Sequence, residues 1–142
     1  MPDLWELDTS VAVGWFFEDE PLRSDALAVR VRLIDEPQRF VVPPLFFSEL
    51  VHVLARKSAR DAEFVQRALA TTLRLGIRTV SLSEQGWQSA ARSACNGLSG
   101  YDATFLALAE DLNARWLTAD ERAVKMSGTD ASEMLRGFGR RH

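Results

Sequence analysis

The segment LWELDTSVAVGWFF, residues 4–17, decides the fold. Leu4 to Asp8 is short and apolar and runs into Thr9-Ser10, which predicts a strand ending at a helix cap. A short helix is expected from Ser10 to Phe17, stopped before the acidic cluster Glu18-Asp19-Glu20. A strand that turns at once into a helix is half of a βα unit, and the alternation recurs downstream. Pro21 suits the first turn of a helix from Leu22 to Ile34, with Leu22, Ala26, Val29 and Leu33 at helical spacing. Phe40-Val41-Val42 predicts a buried strand closed by Pro43-Pro44; neither proline continues a central strand, and Pro44 can open a helix. That helix is expected over Leu45 to Arg56, and another over Asp61 to Leu75, stopped by Gly76. Ile77 to Leu82 alternates as a strand, and Ser83 opens a helix carrying Trp87, Ala91 and Ala94. After a loop at Asn96-Gly97 and Ser99-Gly100 comes the most strongly patterned helix, Tyr101 to Leu112. Arg115 to Thr118 is a short strand, Asp120 opens a last helix near Glu121 to Met126, and beyond Gly128 the pattern weakens. Strands alternating with helices predict an α/β fold with a mainly parallel sheet covered on both faces.

The 142 residues form one expected domain, 1–142, without repeats or Gly/Ser-rich linkers. The single cysteine, Cys95, excludes an internal disulfide framework and suits a reducing cytoplasm. No apolar run is long enough to span a bilayer, and Met1 to Asp8 carry acids without Lys or Arg, unlike a signal peptide. The formal net charge of −3 speaks against a non-specific nucleic-acid binder, but an acidic metal site would itself lower the total.

Ligands of open α/β sheets collect at the carboxyl ends of the strands. Asp8 closes the first predicted strand and Asp120 follows the last. Glu49 lies one turn into the helix after the second strand, and Asp102 starts its helix. Four acids from distant parts of the chain are thus expected at one sheet edge. Like charges held together need compensation, and a hard divalent cation, Mg²⁺ or Mn²⁺, supplies it through carboxylate oxygens. Such an ion activates water and stabilises a phosphodiester transition state. The chain has 20 acids, so any one proves little, and Asp102 and Asp120 also fit ordinary helix N-terminal residues. Glu49, among Leu45, Phe46, Phe47, Leu50 and Val53, is harder to explain as surface, and Asp8 after Leu4, Trp5 and Leu7 is similar.

Four stretches carry a resemblance: Leu7-Asp8-Thr9-Ser10-Val11, Pro44 to Leu50 with Glu49, Tyr101-Asp102-Ala103 with Ala107 to Glu110, and Leu117-Thr118-Ala119-Asp120. Together, in this order, they resemble PIN domains, and most of all VapC toxins. The resemblance implies a three-layer α/β/α fold and a Mg²⁺-dependent endoribonuclease. It also implies homodimerisation and a cognate antitoxin as inhibitor. It puts the acidic positions on Asp8, Glu49, Asp102 and Asp120, with Ser10 and Thr118 as supporting hydroxyls. Ala123 stands where some relatives have another acid.

Other features read more plainly. His52 follows Glu49 by three residues, a spacing seen in di-iron bundles, but here in one copy only. Cys95 has no adjacent basic group to activate it. The aromatics Trp15, Phe16, Phe17, Phe46 and Phe47 are expected mostly in the core, with some lining a partner groove. Arg56, Lys57 and Arg60, and Arg136, Arg140 and Arg141, are the candidates for holding RNA phosphates, the terminal set being equally compatible with a loose tail. Competing functions are a housekeeping RNA-processing nuclease and a catalytically silent PIN-like module. A response-regulator-like domain is disfavoured because Ser83, not an aspartate, follows the middle strand.

Overall fold

The computed structural model describes residues 3–127 and 130–142, so Met1, Pro2, Gly128 and Thr129 lie outside the described residues. Five parallel strands form its centre: Trp5–Leu7 (β1), Phe40–Val42 (β2), Arg78–Thr79 (β3), Arg115–Thr118 (β4) and Ser132–Met134 (β5), in the order β3-β2-β1-β4-β5. The helices are Thr9–Phe16 (α1), Arg23–Asp35 (α2), Leu45–Lys57 (α3), Ala62–Leu73 (α4), Glu84–Cys95 (α5), Gly100–Leu112 (α6), Glu121–Ser127 (α7) and Phe138–Arg141 (α8). The expected three-layer α/β/α architecture is therefore present.

Side-chain alternation along β1 explains the layering. Trp5 points to one face, where it stacks on Phe40 at 5.3 Å and meets Phe138 of α8 at 5.5 Å. The other face carries Trp116, which stacks on Phe105 of α6 at 6.0 Å. Trp5, Leu7, Phe40, Val42, Phe46, Leu50, Trp116 and Leu117 are essentially sealed from solvent. The chain leaves β1 toward β2 and β3, then returns past it to β4 and β5. That reversal makes the carboxyl ends of β1 and β4 the switch point, where doubly wound sheets open a crevice.

Predicted starts and stops follow the capping chemistry. Asp61, Ser83 and Ser99 each accept a hydrogen bond from the backbone N–H three residues on, and so cap α4, α5 and α6. The cap of α1 is Asp8 itself rather than Thr9 or Ser10. The strand expected over Ile77 to Leu82 shrinks to Arg78–Thr79, because β3 is an exposed edge that pairs with β2 alone among the described residues. Beyond 129 the chain is not a loose tail. β5 adds to β4, and α8 packs on α2. The tail is fastened by Glu133, nearly sealed from solvent, whose carboxylate accepts from Arg115, Arg141 and Trp5 and meets His142 at 2.9 Å. Burial pushes Glu133 up, but its hydrogen bonds from Arg141, His142 and Trp5 outweigh that and hold it below the ordinary range. Arg136 is likewise committed, to Glu121 at 2.7 Å.

Candidate active site

Asp8 stands at the switch point, one residue past β1. Its backbone N–H donates to Leu117 O at 2.9 Å, which extends the β1–β4 ladder by one step and fixes the residue. Its Oδ2 accepts the Ser10 N–H at 3.1 Å and the Ser10 hydroxyl at 2.5 Å, while Oδ1 accepts Trp116 Nε1–H at 3.2 Å. The same carboxylate thus caps α1 and is aimed by two side chains.

The supporting hydroxyls form a second tier. Ser10 Oγ accepts the Ala119 N–H at 3.0 Å and lies 3.5 Å from Thr118 Oγ1. Thr118 Oγ1 accepts the Asp120 N–H at 3.1 Å. Ser10 and Thr118 therefore staple the start of α1 to the β4–α7 turn, and so hold Asp8 and Asp120 in fixed relation. Asp120 is exposed, and its Oδ1 accepts the N–H groups of Arg122 and Ala123 at 3.0 and 3.2 Å, so it also serves as a helix cap.

Glu49, partly buried on α3, accepts the Thr9 hydroxyl at 2.9 Å. Asp102, in the first turn of α6, is positioned by its N–H donating to Ser99 Oγ at 3.0 Å. Asp8, Glu49 and Asp102 line one cleft, together with Ser10, Arg56 and Lys57. Asp120 and Asp102 share an adjoining hollow with Ala123, which brings no acid. Asp102 thus borders both hollows, with Asp8 and Glu49 in one and Asp120 in the other.

Their electrostatics are those of crowded carboxylates. Burial pushes the Asp8 carboxyl up, against the hydrogen bonds from Ser10, Trp116 and Thr118. Burial also raises Glu49, and Asp8 and Asp102 add to it while Thr9 opposes. Asp102 is raised by burial, then by Asp8 and Asp120. Each of these groups therefore gains from a nearby positive charge. Among the described residues no three carboxylate, imidazole or thiol groups make a finished metal cage. Carboxylate oxygens such as these suit a hard divalent cation. An all-oxygen donor set with raised pKa values fits such an ion.

Three neighbours of the site were not legible as such. Thr9 holds Glu49, and Trp116 holds Asp8 across 108 positions of sequence. Glu6 is fully buried, and neither of its carboxyl oxygens has a hydrogen-bond partner. Burial, and then Asp8, holds it well above the ordinary carboxylate range. A charged residue amid an apolar strand was the available signal for Glu6. The packing of α1 on α3 brings Thr9 to Glu49, and the β1–β4 register brings Trp116 to Asp8. Conversely, the aromatic cluster is mostly core: Trp15 and Phe46 are buried, and Phe17 lies under Phe64 and Lys57. His52 is exposed and lines a hollow with Arg56 and Arg60, not the acid cleft.

A PIN-domain family model matches residues 6–128. VapC ribonuclease Mb0985 of Mycobacterium bovis is 38% identical over 99 residues, covering 66% of this chain and 74% of that protein. Ribonuclease VapC9 of Mycobacterium tuberculosis matches with the same identity and coverage. Among solved structures, PAE2754 from Pyrobaculum aerophilum superposes with a TM-score of 0.74 at 17% identity, over 98% of this chain and 88% of the other. Mycobacterium tuberculosis VapC20, described as a sarcin-ricin loop cleaving toxin, gives 0.69 at 14% identity, over 89% and 97%. At those identities the structures speak for the fold alone, while the family match runs from within β1 and covers Asp8, Glu49, Asp102 and Asp120. The chain belongs to the PIN-domain family and is related within it to the VapC ribonucleases.

Proposed function

We propose that the protein is a Mg²⁺- or Mn²⁺-dependent endoribonuclease and the toxin of a toxin–antitoxin pair. In this reading it acts as a cytoplasmic homodimer restrained by a cognate antitoxin. The observation that carries the reading is the cleft itself: Asp8, Glu49 and Asp102 crowd together at the β1–β4 switch point, each with a raised pKa. The 38% identity to proteins named as VapC ribonucleases supports RNA as substrate and an antitoxin as partner. No helix among the described residues is long and apolar enough to cross a membrane.

Asp8 and Asp102 are the principal ligands in this proposal, with Glu49 and Asp120 completing the acidic rim. Ser10 and Trp116 orient Asp8, and Thr9 orients Glu49. Thr118 ties Asp120 to the same frame. A divalent cation bound there supplies charge neutralisation, an activated water and stabilisation of the scissile phosphate's developing charge. Glu49, with the longest reach and a raised pKa, is suited to take a proton from a water in the cleft.

The test is cleavage of an RNA substrate in EDTA and after adding Mg²⁺ or Mn²⁺. Cleavage only with metal is expected; equal cleavage in chelator overturns the mechanism. Light scattering checks the dimer, and pull-down with the product of an adjacent small gene checks the antitoxin.

A further inference from the structure

An acidic protein that cleaves RNA must hold a polyanion beside its own carboxylates. The charge for doing so has to be local. The carboxyl-terminal half of α3 and the turn after it provide it. His52 and Arg56 stand about one helical turn apart on α3, about 6 Å of rise, and Arg60 follows four residues later in the turn past Lys57. They line one hollow with Ala55 and Ala59. Arg56 also lines the acid cleft, so the hollow and the cleft meet at its side chain. Both arginines and His52 are exposed, and among the described residues none of the three side chains has a hydrogen bond or ion pair. Lys57, by contrast, is committed to Glu20 at 2.9 Å over the Phe17 ring. Asp61, next in sequence to Arg60, spends its carboxylate on the Phe64 N–H at 3.1 Å.

The backbone supplies an independent observation. Ala59 and Arg60 both adopt left-handed conformations, with φ of 57° and 66°, where neither is a glycine. The Arg60 N–H closes the helix end onto Ala55 O at 2.8 Å. Two successive non-glycine residues in this region cost on the order of 1 kcal/mol each. The turn nevertheless brings Arg60 back to the hollow shared with Arg56 and His52.

We infer that His52, Arg56 and Arg60 form a phosphate track that carries the RNA strand from the acid cleft, gripping the backbone of nucleotides next to the scissile bond. The inference rests on the ribonuclease reading above. Guanidinium groups bind phosphate through paired N–H donors, and a groove of cations follows a single strand without reading its bases. The track would thus contribute binding common to the bound substrate and the transition state, and it would weaken with salt.

The experiment compares wild type with the double variant Arg56→Ala/Arg60→Asn, asparagine being tolerant of the left-handed conformation. A control, Arg78→Ala/Arg92→Ala, removes the same charge from exposed positions that line neither hollow. Steady-state cleavage of a single-stranded RNA is measured in Mg²⁺ across a range of KCl, with thermal melts to verify folding. The expected result for the double variant is a KM raised about tenfold, a far smaller change in kcat, and a salt slope of log kcat/KM shallower by about 1.4 (two contacts at about 0.7 each). The control should follow wild type. A double variant with wild-type KM and slope overturns the track, as does a collapse of kcat at unchanged KM. Unchanged RNA kinetics with lost binding of an antitoxin would assign the surface to a protein partner and also overturn it. Wild type inert toward RNA in both Mg²⁺ and Mn²⁺ would sink the ribonuclease reading itself, which the comparison of variants does not touch.

Discussion

Asp8 is asked to cap a helix and to face a cleft with one carboxylate. The two roles are separable by substitution. Asn is as good a helix cap as Asp, so Asp8→Asn keeps the bond from the Ser10 N–H while removing the charge. Asp102→Asn removes a group that Asp8 and Asp120 repel. Both variants are expected to lose RNA cleavage by orders of magnitude and to bind Mn²⁺ more weakly by calorimetry. Asp102→Asn should melt at an equal or higher temperature than wild type in EDTA. A variant that cleaves normally does not carry the chemistry at that residue. Trp116→Phe makes a finer probe. It keeps an aromatic ring against Phe105 but deletes the donor to Asp8 Oδ1. Loss of such an orienting bond typically costs 10–100-fold in metal affinity or activity, and that range is expected here. If both quantities stay at wild-type level, Ser10 alone suffices to aim Asp8.

Elements were largely legible wherever local chemistry decides them. β2, α3 and α6 fall within a residue or so of their expected bounds because prolines, Ser99 and the apolar spacing act within one or two turns. β3 was overread because alternation does not reveal that a strand sits at an edge. β5 and α8 were missed because Ser132–Met134 has no apolar pattern; it pairs with β4 and is secured by Glu133 contacts far away in sequence. The acids were found by position, whereas their supports Thr9 and Trp116 depend on helix packing and strand register. The α1–α2 contact shows the same limit. Gly14 looks like an ordinary interruption of a helix, yet a Cβ there would come within 2.6 Å of Ala26 Cβ. The two helices approach too closely for any side chain at that point. Gly14→Ala should therefore destabilise by about 1–3 kcal/mol through overpacking, despite alanine's better helix propensity. Denaturant unfolding reads this directly, and a Gly14→Ala protein as stable as wild type would mean the helices slide apart at no cost.

At the scale of the whole molecule, the site leaves a signature on stability against pH. Glu6, Asp8, Glu49 and Asp102 all have carboxyls raised above their ordinary values. Between the ordinary and the raised value the native chain holds more protons than the unfolded chain. Stability therefore falls as pH rises through that window, and is fully present only below the ordinary value, 4.5 for a glutamate such as Glu6. Glu133 and Glu36 act in the opposite sense, their support being lost as pH drops below the ordinary range. Glu36 is exposed, so the opposing contribution comes mainly from Glu133. Glu6 stands well above the ordinary range, and on its account metal-free protein is expected to melt higher at pH 5 than at pH 8. Glu6 dominates this slope because it is fully buried with neither carboxyl oxygen paired. Glu6→Leu should raise the melting temperature at pH 8 by the equivalent of at least about 1 kcal/mol, and by less at pH 5. Mg²⁺ should recover stability in wild type mainly at pH 8, where its ligands are free of protons. Melting curves at pH 5, 6.5 and 8, in EDTA and in Mg²⁺, for wild type and Glu6→Leu, make the check. A Glu6→Leu slope identical to wild type would place the pH dependence in the open acid cleft alone, and a flat wild-type profile would mean that the crowded carboxylates relax apart without metal.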